Sequence, residues 1–246
     1  MNRIETSDYR TEIVKDLSTK NDIFAKIEII GDSKVGKTTI LSRIIKNTFK
    51  EEYIPTVGYE FNTYLIKVNE IVLKMQIWDM CGDKNYRSAL FNLYRNAVIG
   101  ILVYSVCSRE SFNNLEKWIL NLKKYALPWS KIILLGNKCD DEENREVSYE
   151  EGKKICEKHK LLCFMEVSAK EGFESPNFLE IAAISIFQDY ENNKENDNDI
   201  SATLMNRTES IMLAGTTIKK KDSCCQIFFI VNFGLFLIFV VFSILH

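Results

Sequence analysis

The stretch that most constrains this chain is Gly31-Asp32-Ser33-Lys34-Val35-Gly36-Lys37-Thr38. It has the G-x-x-x-x-G-K-[ST] spacing in which backbone N–H groups curl round phosphates, a lysine neutralises them and a hydroxyl reaches Mg²⁺. The flanks agree: residues 23–30 read as a strand, and residues 39–45 carry Ile40, Leu41, Ile44 and Ile45 as the apolar stripe of a helix. The loop therefore aims a helix N-terminus at the phosphates, with Ser33, Lys34, Val35, Gly36, Lys37, Thr38 and Thr39 as the residues around them.

Composition narrows the setting. The 246 residues, 46% of them hydrophobic, leave room for one sizeable core plus extensions. A net charge of -2, with Lys219-Lys220-Lys221 as the longest basic run noted, argues against a nucleic-acid partner. The cysteines number seven and show no ligand-like spacing apart from Cys224-Cys225, so reduced thiols are expected and zinc is not. Residues 1–22 are charged and lack the apolar run of a secretory signal, which points the main domain to the cytosol. They read as a floppy polar extension.

After the first strand, loop and helix, residues 49–58 form a charged segment with turn formers, read as a surface loop. Residues 61–68 and 71–78 read as two strands joined at Asn69-Glu70, an antiparallel hairpin at one edge of a sheet. The apolar run 97–106 is expected at the sheet's centre, covered on both faces. A helix over residues 110–125 carries Phe112, Leu115, Ile119 and Leu122 at helical spacing. Residues 131–135 form a strand leading to Asn137-Lys138-Cys139-Asp140, and Ser148 with Glu151 opens a further helix as a capping box. A last strand over residues 162–167 delivers Ser168-Ala169-Lys170, and a last helix spans 178–190. Alternating strands and helices predict an α/β fold with a mostly parallel sheet between helices, its ligand loops at the carboxyl ends of the strands.

Those ends carry a consistent chemistry. Lys37 would neutralise β- and γ-phosphates, while Thr38 and Asp79 would hold Mg²⁺. Gly82 leaves its N–H free to approach the γ-phosphate. Thr56, on the surface loop, would complete the metal shell only while the γ-phosphate is present, which couples nucleotide state to loop conformation. Asp140 could accept two hydrogen bonds from the N1 and N2 hydrogens of guanine, and a buried acceptor left unpaired by adenine would cost about 1–3 kcal/mol.

Five segments in order then carry a resemblance. They are residues 31–38, Thr56 with Gly58, Trp78-Asp79-x-x-Gly82, Asn137-Lys138-Cys139-Asp140 and Glu166-Val167-Ser168-Ala169-Lys170. Together they resemble the Ras superfamily of small GTPases, and the Rab family in particular, over residues 24–190, with Tyr86-Arg87-Ser88 and Arg145-Glu146-Val147-Ser148 also Rab-like. The resemblance implies a P-loop G-domain with a six-stranded, mostly parallel sheet, one antiparallel edge strand and about five helices. It also implies that Phe49 lies against the guanine, unless it is plain core, and that the Ala169 N–H meets the base O6. GTP and GDP are the implied ligands, Mg²⁺ the cofactor, and exchange factors, activating proteins and effectors the partners.

Departures from the family pattern matter as much. Asp83 stands where Rab proteins usually place a glutamine that orients the attacking water; shorter and anionic, it predicts slow hydrolysis. Lys34 replaces a Gly or Ala, and either points to solvent or touches the phosphates. Met80 and Cys81 replace a Thr-Ala pair. Residues 191–226 read as a flexible linker, and the apolar segment 227–245, spanning roughly 28 Å as a helix, reads as a transmembrane tail anchor. Only His246 follows, so insertion is expected after translation with Lys219 to Lys221 on the cytosolic side. Cys224 and Cys225 lie well inside the C-terminus, so the prenylation usual in the family is not assumed; they are either palmitoylated or free. The expected protein is a tail-anchored switch of vesicle traffic, with a GTP-locked membrane scaffold as the alternative. An ATP-dependent kinase is disfavoured by the Asn137-Lys138-x-Asp140 pattern.

Overall fold

The computed structural model describes residues 8–82, 91–173 and 177–193. β-Branched and alternating apolar stretches form strands β1 (Thr11–Val14), β2 (Ile23–Gly31), β3 (Tyr59–Val68), β4 (Ile71–Met80), β5 (Ile99–Ser105), β6 (Lys131–Asn137) and β7 (Cys163–Val167). The helices are α1 (Lys37–Lys46), α2 (Arg109–Asn113), α3 (Leu115–Tyr125), α4 (Tyr149–His159) and α5 (Phe178–Asn193). One mixed sheet results, in the order β1-β3-β4-β2-β5-β6-β7. β3 runs antiparallel to β1 and β4, while β4, β2, β5, β6 and β7 are parallel neighbours.

Every residue of β2 and β5 is buried, because helices cover both sheet faces there. On one face Ile23, Ala25, Ile27 and Ile29 of β2 meet Ile40 and Leu41 of α1 and the apolar side of α5. On the other, Ile30, Leu102 and Tyr104 meet Leu115, Trp118, Ile119 and Leu122 of α3. The hairpin turns at Asn69, whose φ of 53° lies in the left-handed region that asparagine tolerates. The register Val68↔Ile71 leaves the two residues expected between the strands.

Several expectations need correction. Among the described residues the sheet has seven strands, not six, because Thr11–Val14, inside the segment read as a floppy extension, pairs with Leu65 to Val68. The edge of the sheet is thus β1 rather than the hairpin, and the midpoint falls on β2 with β5 beside it. A four-residue strand is too short to show an alternation of its own; it forms because the outer edge of β3 offers unpaired backbone groups. The helix expected over residues 110–125 is parted at Asn114, which caps α2 and opens α3, so the five helical segments behave as about four helices. α5 also runs three residues past the expected boundary, to Asn193.

Asp83, Tyr86, Arg87 and Ser88 lie outside the described residues, as do most of the linker and the whole of segment 227–245. Among the described residues no helix is long and apolar enough to cross a membrane.

Candidate functional site

The phosphate loop leaves β2 and is held from below. Asp32 is buried, and its carboxylate accepts from the Asn114 amide at 2.6 Å and the Trp118 indole at 2.8 Å. Lys37, also buried, stretches its ammonium back across the loop to the carbonyls of Gly31 at 3.0 Å and Asp32 at 2.8 Å. Gly36 has φ 96°, and a Cβ there would stand 2.3 Å from the Asn137 side-chain nitrogen. Glycine is needed for both reasons, since Asn137 uses that approach to donate to the Val35 carbonyl at 2.8 Å.

Three oxygens from three elements converge next to the loop. Thr38, in the first turn of α1, donates its hydroxyl to Asp79 at the end of β4 at 2.5 Å, and lies 2.8 Å from the hydroxyl of Thr56. The second carboxylate oxygen of Asp79 is buried without a hydrogen-bond partner. Burial pushes the Asp79 carboxyl up to about 6, against the opposing pull of the Thr38 hydroxyl and the Lys37 charge. A set of hard oxygens with one orphaned carboxylate atom fits a hard divalent cation such as Mg²⁺. Gly82 follows closely: a Cβ there would lie 2.5 Å from the backbone of Asp32 and Ser33, so only glycine lets this strand end press against the phosphate loop.

The base-reading segments are tied to the same loop. Asn137, besides bonding Val35, accepts from the Ala169 N–H at 3.3 Å. That contact places the Ala169 N–H, expected at the guanine O6, beside Asn137. Lys138 takes a left-handed φ of 68°, and the Cys139 N–H bonds the Val167 carbonyl at 3.3 Å, which carries the chain round to half-buried Asp140. Ser168 closes its own turn, accepting from the Glu171 N–H at 3.0 Å, while Lys170 is exposed. Arg145 joins this corner through Glu166 at 2.8 Å, and its guanidinium pKa is raised by its bonds to Glu142 and Glu166.

Some contacts could not be anticipated. Arg43 of α1 donates to the Ala169 carbonyl at 2.9 Å and the Lys170 carbonyl at 2.7 Å, and its guanidinium lies 5.8 Å from the Phe49 ring. Phe49 is thus half-buried against Arg43. In the sequence Arg43 looks like an ordinary solvated position late in a helix, and Asp32 like a polar spacer. Lys34 is exposed, in line with the expectation that it points to solvent, and its ammonium stands over the Tyr53 ring at 5.7 Å. Asp83 lies outside the described residues.

Comparison with known proteins agrees with this geometry. Residues 26–188 match the Ras family. Ras-related protein Rab-11B of Dictyostelium discoideum is 43% identical over 148 residues, covering 60% of this chain and 67% of the relative. Rab-11A of the same organism is 38% identical over 209 residues, covering 83% and 95%. Ras-related protein RIC1 of Oryza sativa subsp. japonica is 32% identical over 210 residues, covering 85% and 100%. With a phosphate loop, a converging oxygen set and this match over most of its length, the chain belongs to the Ras family of small GTPases, with Rab proteins among its relatives.

Proposed function

We propose that this chain is a tail-anchored, Rab-like switch that cycles between GDP and GTP on the cytosolic face of an intracellular membrane, hydrolyses GTP slowly and recruits effectors in vesicle traffic. The observation that carries the switch is the bond between Thr56, on a loop that is exposed through residues 50–55, and Thr38 beside Asp79. The three oxygens meet only when that loop is closed. Thr38, Thr56 and Asp79 would hold Mg²⁺ there, and the metal would offset the charge of the phosphates.

The protein's own groups then divide the work. Lys37 lies along the phosphate loop, ready to exchange its carbonyl bonds for phosphate oxygens. Asn137 holds the phosphate loop and the Ala169 turn at one spacing, so base and phosphates are read by a single rigid frame. Asp140 accepts from the guanine edge, and Phe49 with Arg43 closes one side of the base pocket. Exchange factors, activating proteins and effectors would engage the exposed loops.

Asp83 sets the expected rate. Full-length protein loaded with GTP and Mg²⁺ should hydrolyse it in a single turnover about tenfold or more slowly than its Asp83→Gln variant, because a carboxylate repels the γ-phosphate where an amide would orient water. Equal rates would remove Asp83 as the cause and make the protein a self-timed switch. Hydrolysis too slow to measure in the parent, restored in the variant, would favour the GTP-locked scaffold.

A further inference from the structure

We propose that Arg43 is a positioning residue of the base pocket: its guanidinium ties the Phe49 ring and the turn at Ser168-Ala169-Lys170 to one point on α1, and so sets how long a guanine nucleotide stays and how sharply its base is read. The inference rests on the guanine-nucleotide reading above and concerns the regulation of that same site.

Arg43 stands in the last turn of α1, half-buried, and bonds to residues 126 and 127 positions further along the chain. Its Nε donates to the Ala169 carbonyl at 2.9 Å and one terminal nitrogen to the Lys170 carbonyl at 2.7 Å. The other terminal nitrogen donates to the Asn47 side-chain oxygen at 3.3 Å, and the guanidinium lies 5.8 Å from the Phe49 ring. A planar fork with five N–H donors can serve these partners together, whereas an ammonium on a single stem has no such spread.

Each wall has a shape of its own, and Arg43 is where the two meet. The turn is closed internally by the Gly172 N–H on the Ser168 carbonyl at 2.9 Å and the Glu171 N–H on the Ser168 hydroxyl at 3.0 Å. Those bonds fix its form, while the two bonds from Arg43 fix its distance from α1. Phe49 is brought back by the end of α1: Asn47 takes a left-handed φ of 50° and its N–H bonds the Arg43 carbonyl at 2.9 Å, and the Thr48 N–H bonds the Ser42 carbonyl at 3.2 Å. The cation that faces the ring therefore also holds the turn, so a shift of either wall is felt by the other. A pocket whose walls part holds the base more weakly and aligns it less well with Asp140, which costs discrimination as well as residence time.

The test uses full-length protein loaded with N-methylanthraniloyl-GDP, with GDP and inosine diphosphate as competitors; the latter lacks the 2-amino group that Asp140 would read. A parent that takes up no label, or that binds the two competitors equally, overturns the guanine reading and this proposal with it. A parent that prefers GDP leaves Arg43 to be judged by its variants. Arg43→Gln should release the label about fivefold faster or more, and its preference for GDP over inosine diphosphate should fall about threefold. Arg43→Lys, which keeps the charge and loses the fork, should release about threefold faster or more. Combined with Phe49→Leu, Arg43→Gln should accelerate release by less than the product of the two single effects, because both act on one linked pair of walls. A parent-like rate in both Arg43 variants overturns the proposal. So does faster release with the base preference unchanged, which would make Arg43 a brace of the fold, and so does a full product in the double variant, which would separate Arg43 from Phe49.

Discussion

Glu28 shows how much one residue can carry. It lies on β2 with no exposed surface, and Lys26 on the same strand brings its ammonium to 2.8 Å, without hydrogen-bond alignment to the carboxylate. That ammonium is shared with the Leu93 carbonyl, with the Arg95 carbonyl at 3.3 Å, and with the Trp78 ring at 4.7 Å. Burial outweighs the attraction of Lys26 and pushes the Glu28 carboxyl up to about 7 from 4.5. The folded state thus binds this proton more tightly than the unfolded chain, so the contribution of Glu28 to stability is greatest below about pH 4.5 and is lost as pH rises through 7. The loss amounts to roughly 3 kcal/mol once ionisation is complete. Glu28→Gln, which cannot ionise, should therefore melt close to the parent at pH 5 and roughly 5–10 °C above it at pH 8. A constant difference across that range in calorimetry would show that Glu28 does not titrate on folding. Nothing in the string Ala25-Lys26-Ile27-Glu28 announces this, since alternating charge normally marks a strand with one wet face.

At the level of elements, the N-terminal segment is the part most changed by folding. β1 pairs with the outer edge of β3, and just before it the Arg10 carbonyl accepts the Asn69 N–H at 2.9 Å. Tyr9 packs edge-on against Phe187 of α5 at 5.9 Å and accepts from the Gln188 amide at 3.0 Å. The segment therefore joins the hairpin edge to the last helix. Tyr9→Ala should lower unfolding free energy by about 1–3 kcal/mol in urea titration, the sum expected of one aromatic pair and one hydrogen bond. A loss under about 0.5 kcal/mol would mark the extension as an ornament on the fold. Elements defined by near neighbours needed no such help. The capping box of α4 is there as Ser148 and Glu151 predict, with the carboxylate bonded to the Ser148 N–H at 3.0 Å and a pKa lowered to about 2, first by Arg109.

For the whole molecule, the proposed anchor decides where the switch operates. Segment 227–245 is long enough, at roughly 28 Å as a helix, to cross a hydrocarbon core, and burying it there removes an apolar surface that water would penalise. Full-length protein should stay with membranes through an alkaline carbonate wash, and a chain ending at residue 226 should be washed off while still loading GDP. Recovery of both in the supernatant would end the tail-anchor proposal. The sequence alone determined what depends on residues close together in the chain: the phosphate loop between strand and helix, the hairpin at Asn69-Glu70, the apolar runs of the sheet and the order of the five nucleotide-site segments. Local sterics and periodicity suffice for these. Tertiary structure decided the rest, because contacts between distant residues exist only once the sheet has closed: β1 on the edge of β3, Asp32 under Asn114 and Trp118, Arg43 on the Ala169 and Lys170 carbonyls, and Lys34 on Tyr53. Side-chain type tells what such a residue can bond, and only the closed fold tells which partner comes within reach.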